Sequence, residues 1–271
     1  MSATLKVVIL GCGASPGVPR IGNDWGACDP NEPRNRRTRC SILIERHEAG
    51  AERPTRVLVD TGPDMRAQLL AADVKFIDAV VYTHSHADHV HGIDDLRAFW
   101  LNTKTLVNVY ADAYTKVRLD AAFGYCFATE PGSFYPPILK HHPMAFGEPV
   151  VIHGAAGPLT LMPFRQIHGE TDSVGLRVGR LAYSCDVSDV PPEGLPYLED
   201  LDVWIVDALR DRPHPSHFSV SDALDWIGRI KPRRAVLTHM HGDIDYGRLK
   251  REMPPGVEPG YDGMTLELPL D

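Results

Sequence analysis

The chain of 271 residues carries 36 acidic and 28 basic side chains, and its net charge of −8 does not suit a long nucleic-acid footprint, which needs many basic contacts to phosphates. Hydrophobic residues make up 43% of the chain, which supplies a large core and excludes a disordered protein. No apolar run approaches the roughly 18 residues that a membrane-spanning helix needs.

Short apolar runs recur along the chain, and each run ends in small or polar residues. This pattern is typical of brief buried strands. Strand ends are also where α/β scaffolds gather their functional groups. The polar residues that follow such runs include His84, Asp186, Asp207 and His239. We predict strands at Leu5–Leu10, Arg56–Val59, Ala79–Tyr82, Leu181–Ser184, Val203–Val206 and Ala235–Leu237.

Helices are predicted between these strands. Asp64–Ala72 has helical periodicity after a proline. Ser219 and Asp222 have the spacing of a capping box, which predicts the start of a second helix, and Pro232 ends it.

Two stretches are predicted to be irregular. Residues 22–40 are polar and rich in Gly, Pro and Arg, which predicts a long ordered loop of the kind that is usually functional. Residues 124–145 form a second irregular stretch, for which we expect a lid or the wall of a pocket.

The cysteines and the N-terminus indicate the cellular compartment. The five cysteines are odd in number and widely spaced, without a CxxC pair, so a disulfide framework is not expected. The first residues, MSATLKVVIL, have the pattern of a strand and lack that of a secretion signal. We therefore expect a cytoplasmic protein without membrane attachment.

A dense cluster of metal-binding side chains follows the predicted strand at Ala79–Tyr82. His84, His86, Asp88 and His89 lie within six residues. Imidazole nitrogens and carboxylate oxygens are donors that Zn²⁺ and similar ions favour. If the first two side chains point one way and the last two point to a neighbouring position, one segment supplies ligands to two ions.

Two ions need further ligands, and three candidates stand at other strand ends. They are His168, Asp186 and His239. Each alone has a simple structural explanation, such as a hydrogen-bonded histidine or a turn-capping aspartate. Together with the cluster they complete a set of seven.

The segment HSHADHVHG resembles the HxHxDH signature of the metallo-β-lactamase superfamily, whose later ligands follow in the order His, Asp, His. The resemblance covers nearly the whole chain. It implies an α/β fold, a four-layer αβ/βα sandwich, here formed by residues 1–271 as one domain. It also implies that Asp60 does not bind an ion but holds the ligating side chains in place. The implied ligands divide into His84, His86 and His168 for one ion, Asp88, His89 and His239 for the other, and Asp186 as the bridge.

Within that superfamily, three segments are similar to the PhnP-like phosphodiesterases, which include phosphoribosyl 1,2-cyclic phosphate phosphodiesterase. They are the opening GCGASPGVP, the loop ending RRTRCS and the late segment GYDGM. The early loop departs from that group, because the resemblance implies several cysteines that hold an additional structural zinc, and this loop has only Cys28. We therefore predict two ions and no third.

The resemblance implies a phosphodiesterase that uses two divalent ions, Zn²⁺ or Mn²⁺, and a shared hydroxide that attacks phosphorus. His217 is the candidate for a non-ligand role, either binding the phosphate or protonating the leaving oxygen, and with Asp88 it forms the catalytic prediction. His214 is a second candidate for substrate binding. Arg37 and its neighbours Arg36 and Arg39 either contact the substrate or form ion pairs within the fold.

Three alternatives stay open. A nuclease that processes transfer-RNA 3′ ends uses the same ligands but needs a basic arm. An antibiotic-hydrolysing lactamase usually has cysteine at the position of Asp186 and an export signal. A metal-dependent nucleotide-binding or carrier protein would bind without turnover. We expect a small phosphodiester or nucleotide substrate and no extended nucleic acid, and a homodimer is compatible with the sequence.

Overall fold

The computed structural model of the protein describes residues 3–129 and 131–270, and within them fourteen strands form two sheets of seven. The strands of the first sheet are β1 (Ala3–Gly11), β2 (Ser41–His47), β3 (Thr55–Val59), β4 (Ala79–Val81), β5 (Val107–Ala111), β6 (Leu139–Pro143) and β14 (Thr265–Leu270). The strands of the second sheet are β7 (Val150–Gly154), β8 (Gly157–His168), β9 (Thr171–Val178), β10 (Leu181–Ser184), β11 (Val203–Asp207), β12 (Arg234–Thr238) and β13 (Val257–Pro259).

Each sheet has an antiparallel half and a parallel half. The first sheet runs in the order β14-β1-β2-β3-β4-β5-β6, and its strands are parallel from β3 to β6. The second runs in the order β13-β12-β11-β10-β9-β8-β7, and its strands are parallel from β10 to β13. Because parallel strands end at the same edge of a sheet, each sheet presents a row of carboxyl ends from which loops can carry functional groups.

Helices flank the two sheets. Buried residues of α1 (Met65–Ala71), α3 (Arg97–Thr103) and α4 (Ala113–Phe123) pack with the first sheet around Leu58. Those of α5 (Val220–Ile230) and α6 (Tyr246–Glu252) pack with the second sheet around Trp204. Side chains of both sheets share one core that includes Ile44 and Leu176. This is the predicted four-layer sandwich. A further short helix, α2 (Ala87–Val90), follows β4.

All six predicted strands and both predicted helices are present, with ends shifted by one or two residues. Residues 22–40 form the expected long loop, with a short 3-10 helix at Pro33–Asn35. The prediction that residues 124–145 are irregular is partly wrong, because Leu139–Pro143 pairs with β5 as an edge strand. Glu130, in the same stretch, lies outside the described residues. None of the described helices is long and apolar enough to cross a membrane.

The predicted capping box is present at the start of α5. The Ser219 hydroxyl and the backbone N–H of Asp222 are hydrogen-bonded, and the Asp222 carboxylate accepts from the N–H of Ser219. Replacing Ser219 with alanine should lower the free energy of unfolding by about 1 kcal/mol, because one helix-end N–H loses its acceptor. Urea denaturation measures this change. The exposed Asp225→Ala on the same helix should not lower stability, and an equal loss in both variants would contradict the capping role.

Candidate metal centre

The sequence-predicted ligands lie together at the carboxyl ends of strands from both sheets. β4 leads into a turn that carries His84 and His86, and the short helix α2 that follows carries Asp88 and His89. From the second sheet, His168 ends β8, while Asp186 and His239 follow β10 and β12. Residues that are 155 positions apart in the chain are thereby brought into one site.

Three residues of this site have left-handed backbone conformations. The φ angles are 64° at Asp60, 53° at Asp186 and 58° at His239. Residues with a Cβ rarely adopt this region, and such conformations concentrate at functional sites where the surrounding structure enforces them. The backbone therefore bends at these three residues, each of which directly follows a strand or the residue after it.

Four donor atoms surround what we call the first position. His84 Nε2 and His168 Nε2 lie 3.0 and 3.2 Å from His86 Nδ1. The same two Nε2 atoms each lie 3.6 Å from Asp186 Oδ2. Three imidazoles and one carboxylate oxygen thus converge on one point.

The second position lies on the other side of the same carboxylate. Asp186 Oδ1 is 3.3 Å from His89 Nε2 and 3.2 Å from His239 Nε2. Asp88 Oδ2 is 3.5 and 3.8 Å from those two nitrogens. Asp186 therefore presents one oxygen to each position, as expected of a bridging ligand.

The donor set fits a divalent cation. Asp88 Oδ2, His89 Nε2 and His239 Nε2 are buried atoms that have no hydrogen-bond partner among the residues described. Buried polar atoms are almost always paired, and clustered exceptions need a physical explanation. Neutral imidazoles and carboxylates directed at one point are the ligands that Zn²⁺ and related ions prefer.

The outer nitrogens of the histidines are held by neighbouring groups. His89 Nδ1 lies 2.7 Å from Asp60 Oδ2, and the same carboxylate accepts from the backbone N–H and hydroxyl of Thr83. His168 Nδ1 lies 2.7 Å from the carbonyl oxygen of Ser216. Donation from Nδ1 leaves Nε2 free to bind a metal and fixes the ring orientation. Asp60 stands where the sequence placed a supporting residue.

Burial and neighbouring charges shift the pKa values of two histidines of the centre in opposite directions. Burial, together with neighbouring His89, holds the pKa of His84 well below its usual value, so that imidazole is neutral. Burial also lowers the pKa of His239, but the carboxylates, Asp186 foremost, outweigh it and raise that pKa to about 10. The carboxylates around the second position therefore stabilise positive charge there, and a bound divalent cation would supply that charge.

A histidine–aspartate pair stands next to the two positions. His217 Nδ1 lies 2.7 Å from Asp207 Oδ2, and His217 Nε2 lies 4.0 Å from Asp186 Oδ2. The His217 ring stacks on that of His239 with centroids 4.7 Å apart. The sequence singled out His217 but noted Asp207 only as a polar residue at a strand end. The signal was present, because Asp207 ends the apolar run of β11.

Two further sequence candidates have different surroundings. The His214 ring lies 5.1 Å from that of His217, and its Nδ1 faces the hydroxyl of Ser216, so its role in substrate binding stays a prediction. Arg37 is only 1% exposed and donates to the oxygens of Asn35 and His241. The expectation that Arg37 contacts substrate is disfavoured, because its guanidinium is occupied within the protein.

The other loop arginines are also used internally. Arg39 pairs with Asp64 at 3.0 Å, and the Arg36 guanidinium lies over the Trp25 ring. Of the three arginines, Arg39 therefore forms the ion pair that the alternative predicted, whereas Arg36 and Arg37 make other contacts within the protein.

Asn35 joins the long loop to the segment that follows His239. Its side-chain oxygen accepts from Arg37 and from the backbone N–H of Tyr246, and its amide donates to Asp245 Oδ2 at 2.6 Å. Asn35→Ala should lower the free energy of unfolding by about 1–3 kcal/mol, because buried partners lose their bonds. Chemical denaturation measures it. The exposed Asn31→Ala is the control, and equal stabilities would contradict the role of Asn35.

Residues of the stretch 124–145 line a cavity away from the ligands. With α3 they enclose about 700 Å³, and the lining includes Trp100, Tyr125 and Tyr135 but no candidate metal ligand. The stretch is thus the wall of a pocket, although not of the metal centre.

Adding Zn²⁺ or Mn²⁺ to chelator-treated protein should raise the thermal unfolding midpoint by several degrees. An ion that binds the folded state shifts the equilibrium by about 2.7 kcal/mol when its concentration is 100 times Kd. Differential scanning fluorimetry measures the shift. Mg²⁺, which prefers oxygen ligands, is the control, and equal midpoints with and without Zn²⁺ and Mn²⁺ would contradict a built site.

Comparison with known proteins places this geometry in a family. Residues 55–240 match the family model of the beta-lactamase superfamily domain. The chain belongs to the metallo-β-lactamase superfamily. A crystal structure described as a new diphosphatase from the PhnP family is 34% identical, covers 100% of this chain and 99% of its own, and has a TM-score of 0.88. The predicted resemblance to the PhnP-like group is thereby confirmed.

Two other similarities are broader. The short form of human tRNase Z is 19% identical, with a TM-score of 0.67 over 98% of this chain and all of its own, and shows the shared fold alone. A protein of Porphyromonas gingivalis named octanoyltransferase is 33% identical over 265 residues, or 96% of this chain. The chain spans about half of that relative, 51% of its length.

Proposed function

We propose that this chain is a dinuclear metal-dependent hydrolase that cleaves a phosphodiester bond in a small substrate, such as a cyclic or nucleotide-like phosphate. The observation that carries the proposal is the His217–Asp207 pair beside Asp186, at 2.7 Å between the partners and 4.0 Å from the bridging carboxylate. Phosphodiester cleavage expels an alkoxide, and a positioned imidazole can protonate it.

The two ions would be held by the donors of the first and second positions, with Asp186 shared. When bound, such ions supply an activated water and offset negative charge on phosphoryl oxygens. Zn²⁺ suits the imidazole-rich set, and Mn²⁺ would rely more on the carboxylates of Asp88 and Asp186. The protein supplies the fixed geometry, because Asp60, Thr83 and the Ser216 carbonyl hold the rings.

His217 would hold the proton for the leaving oxygen. Its Nδ1 is bonded to Asp207, which fixes the ring and leaves Nε2 on the side of the metal centre. Asp207 Oδ2 also accepts from the backbone N–H of Val187, so the carboxylate is itself held in place. This is the arrangement of a general acid and the residue that orients it.

A diphosphate is the second candidate substrate, because the PhnP-family relative with 34% identity is described as a diphosphatase. In a phosphoric anhydride the leaving group is a phosphate, which is less basic than an alkoxide and needs less protonation. The two substrate classes should therefore differ in how strongly they depend on His217.

Turnover of defined substrates by purified protein tests the proposal. Metal-loaded protein is expected to release p-nitrophenol from bis-p-nitrophenyl phosphate and to open cyclic phosphodiesters, and chelation should stop both. The exposed His153→Ala serves as a control that should keep full activity. If only a nucleoside diphosphate is hydrolysed, the diphosphatase replaces the phosphodiesterase as the function.

Further arms of the same assay cover the remaining alternatives. Cleavage of a transfer-RNA precursor would favour the nuclease, and turnover of a chromogenic lactam would favour a lactamase. Hydrolysis of an octanoyl thioester would connect the chain to the name of its Porphyromonas gingivalis relative. Nucleotide binding without turnover of any substrate would favour the carrier protein and contradict a hydrolase.

A further inference from the structure

A cysteine thiol lies beneath the second position. Cys185 is fully buried, and its Sγ donates to Asp186 Oδ1 at 2.9 Å. That oxygen is the one that faces His89 and His239, at 3.3 and 3.2 Å. The thiol is therefore next to the bridging carboxylate on the side of the second position.

The thiol is also close enough to act with the other donors. One donor atom from each of His89, Cys185, Asp186 and His239 lies within 4.8 Å of all the others. Independently, the Nε2 atoms of His89 and His239 are buried without a hydrogen-bond partner in the described part of the chain. Two imidazoles, a carboxylate and a thiol form a donor set that suits zinc.

We propose that Cys185 is a metal ligand at the second position and makes this position select thiophilic ions such as Zn²⁺ over Mn²⁺. Sulfur donors favour soft ions, whereas Mn²⁺ favours oxygen donors. The thiol binds as a thiolate, so the proton now shared with Asp186 leaves to solvent when the ion binds. This inference rests on the proposed metal dependence, and it does not depend on which substrate is cleaved.

Cys40 provides a matched control. It is equally buried, and its Sγ lies 3.5 Å from the Thr238 hydroxyl, beside the ligand His239. Cys40 is nevertheless outside the group of donor atoms that share one point. Serine at position 40 should therefore leave the metal ligands intact, whereas serine at position 185 removes the sulfur.

The spectrum of cobalt-loaded protein gives a readout apart from activity. Co²⁺ bound to a thiolate has a sulfur-to-metal charge-transfer band in the near ultraviolet. We expect this band in the wild type and in Cys40→Ser, and its loss in Cys185→Ser. A band that persists in Cys185→Ser, or is absent from the wild type although two Co²⁺ bind per chain, would overturn the proposal.

X-ray absorption at the zinc edge needs no variant and therefore remains decisive if Cys185→Ser does not fold. The zinc-loaded wild type should show a sulfur neighbour at about 2.3 Å in addition to nitrogen and oxygen. A spectrum with nitrogen and oxygen alone contradicts the proposal, even if the enzyme is active.

Competition between ions tests selectivity. With equal Zn²⁺ and Mn²⁺ present, Cys185→Ser should shift the Zn²⁺:Mn²⁺ ratio at the second position towards Mn²⁺ by at least about tenfold, the scale on which changes around a metal affect affinity. An unchanged ratio would contradict selection by Cys185. Failure of the proposed function is distinguishable, because the wild type would then bind no ions or turn over no phosphate ester.

Discussion

Asp186→Asn should lower kcat/KM for a phosphodiester by at least about 10³-fold, since the change removes the one carboxylate that both positions share. Its two oxygens lie 3.2–3.6 Å from the Nε2 atoms of four histidines. An amide keeps the shape but replaces one oxygen by an N–H donor and removes the negative charge. Steady-state kinetics and metal analysis measure the effect, and we expect fewer than two ions per chain.

Asp189→Asn is the matched control for this prediction. Asp189 lies three residues further on in the same loop and is exposed, and within the described part of the chain its side chain makes one hydrogen bond, from the backbone N–H of Val190. It should keep its activity and two ions. If Asp186→Asn binds two ions and keeps more than a tenth of the activity, Asp186 is not the bridging ligand.

His217→Ala should lower kcat by about 10²–10⁴-fold for an alkyl phosphodiester while metal content stays at the wild-type level. Its Nε2 stands 4.0 Å from Asp186, too far for a hydrogen bond, and its Nδ1 is engaged by Asp207. The loss should be much smaller for a p-nitrophenyl ester, because p-nitrophenolate leaves without protonation. Comparing kcat for the two substrates separates proton donation from damage to the fold.

Asp207→Asn should reproduce part of this effect, because its carboxylate is bonded to His217 Nδ1 and orients the ring. A loss in His217→Ala that is the same for both leaving groups would contradict proton donation and favour phosphate binding. Loss of metal in that variant would place His217 among the ligands.

Local sequence was enough for the parts of the fold that bury continuous apolar runs. β4 and β11 are fully buried, and their continuous apolar runs predicted buried strands. β8 was not predicted as a strand along its length, because two prolines and several polar residues interrupt its apolar residues. β6 was missed for a similar reason, since this edge strand contains Lys140 and two histidines.

The candidate site divides in the same way. The cluster from His84 to His89 is contiguous, so sequence alone points to it. Asp207 and Cys185 carry no motif, and their importance comes from contacts with His217 and with Asp186. Arginine is a residue type that commonly binds phosphate, yet the loop folds so that the Arg37 side chain is buried within the protein. These contacts depend on how the loops after β10 and β11 are folded, which no sequence motif shows.

We propose that the seven predicted side chains hold two divalent ions. Anomalous X-ray diffraction from crystals of metal-loaded protein, recorded at the absorption edge of the ion, tests it most directly. We expect two peaks about 3.5–4 Å apart. One should lie among His84, His86 and His168, the other should lie among Asp88, His89 and His239, and Asp186 should stand between them. A single peak, or peaks away from these side chains, would contradict the claim.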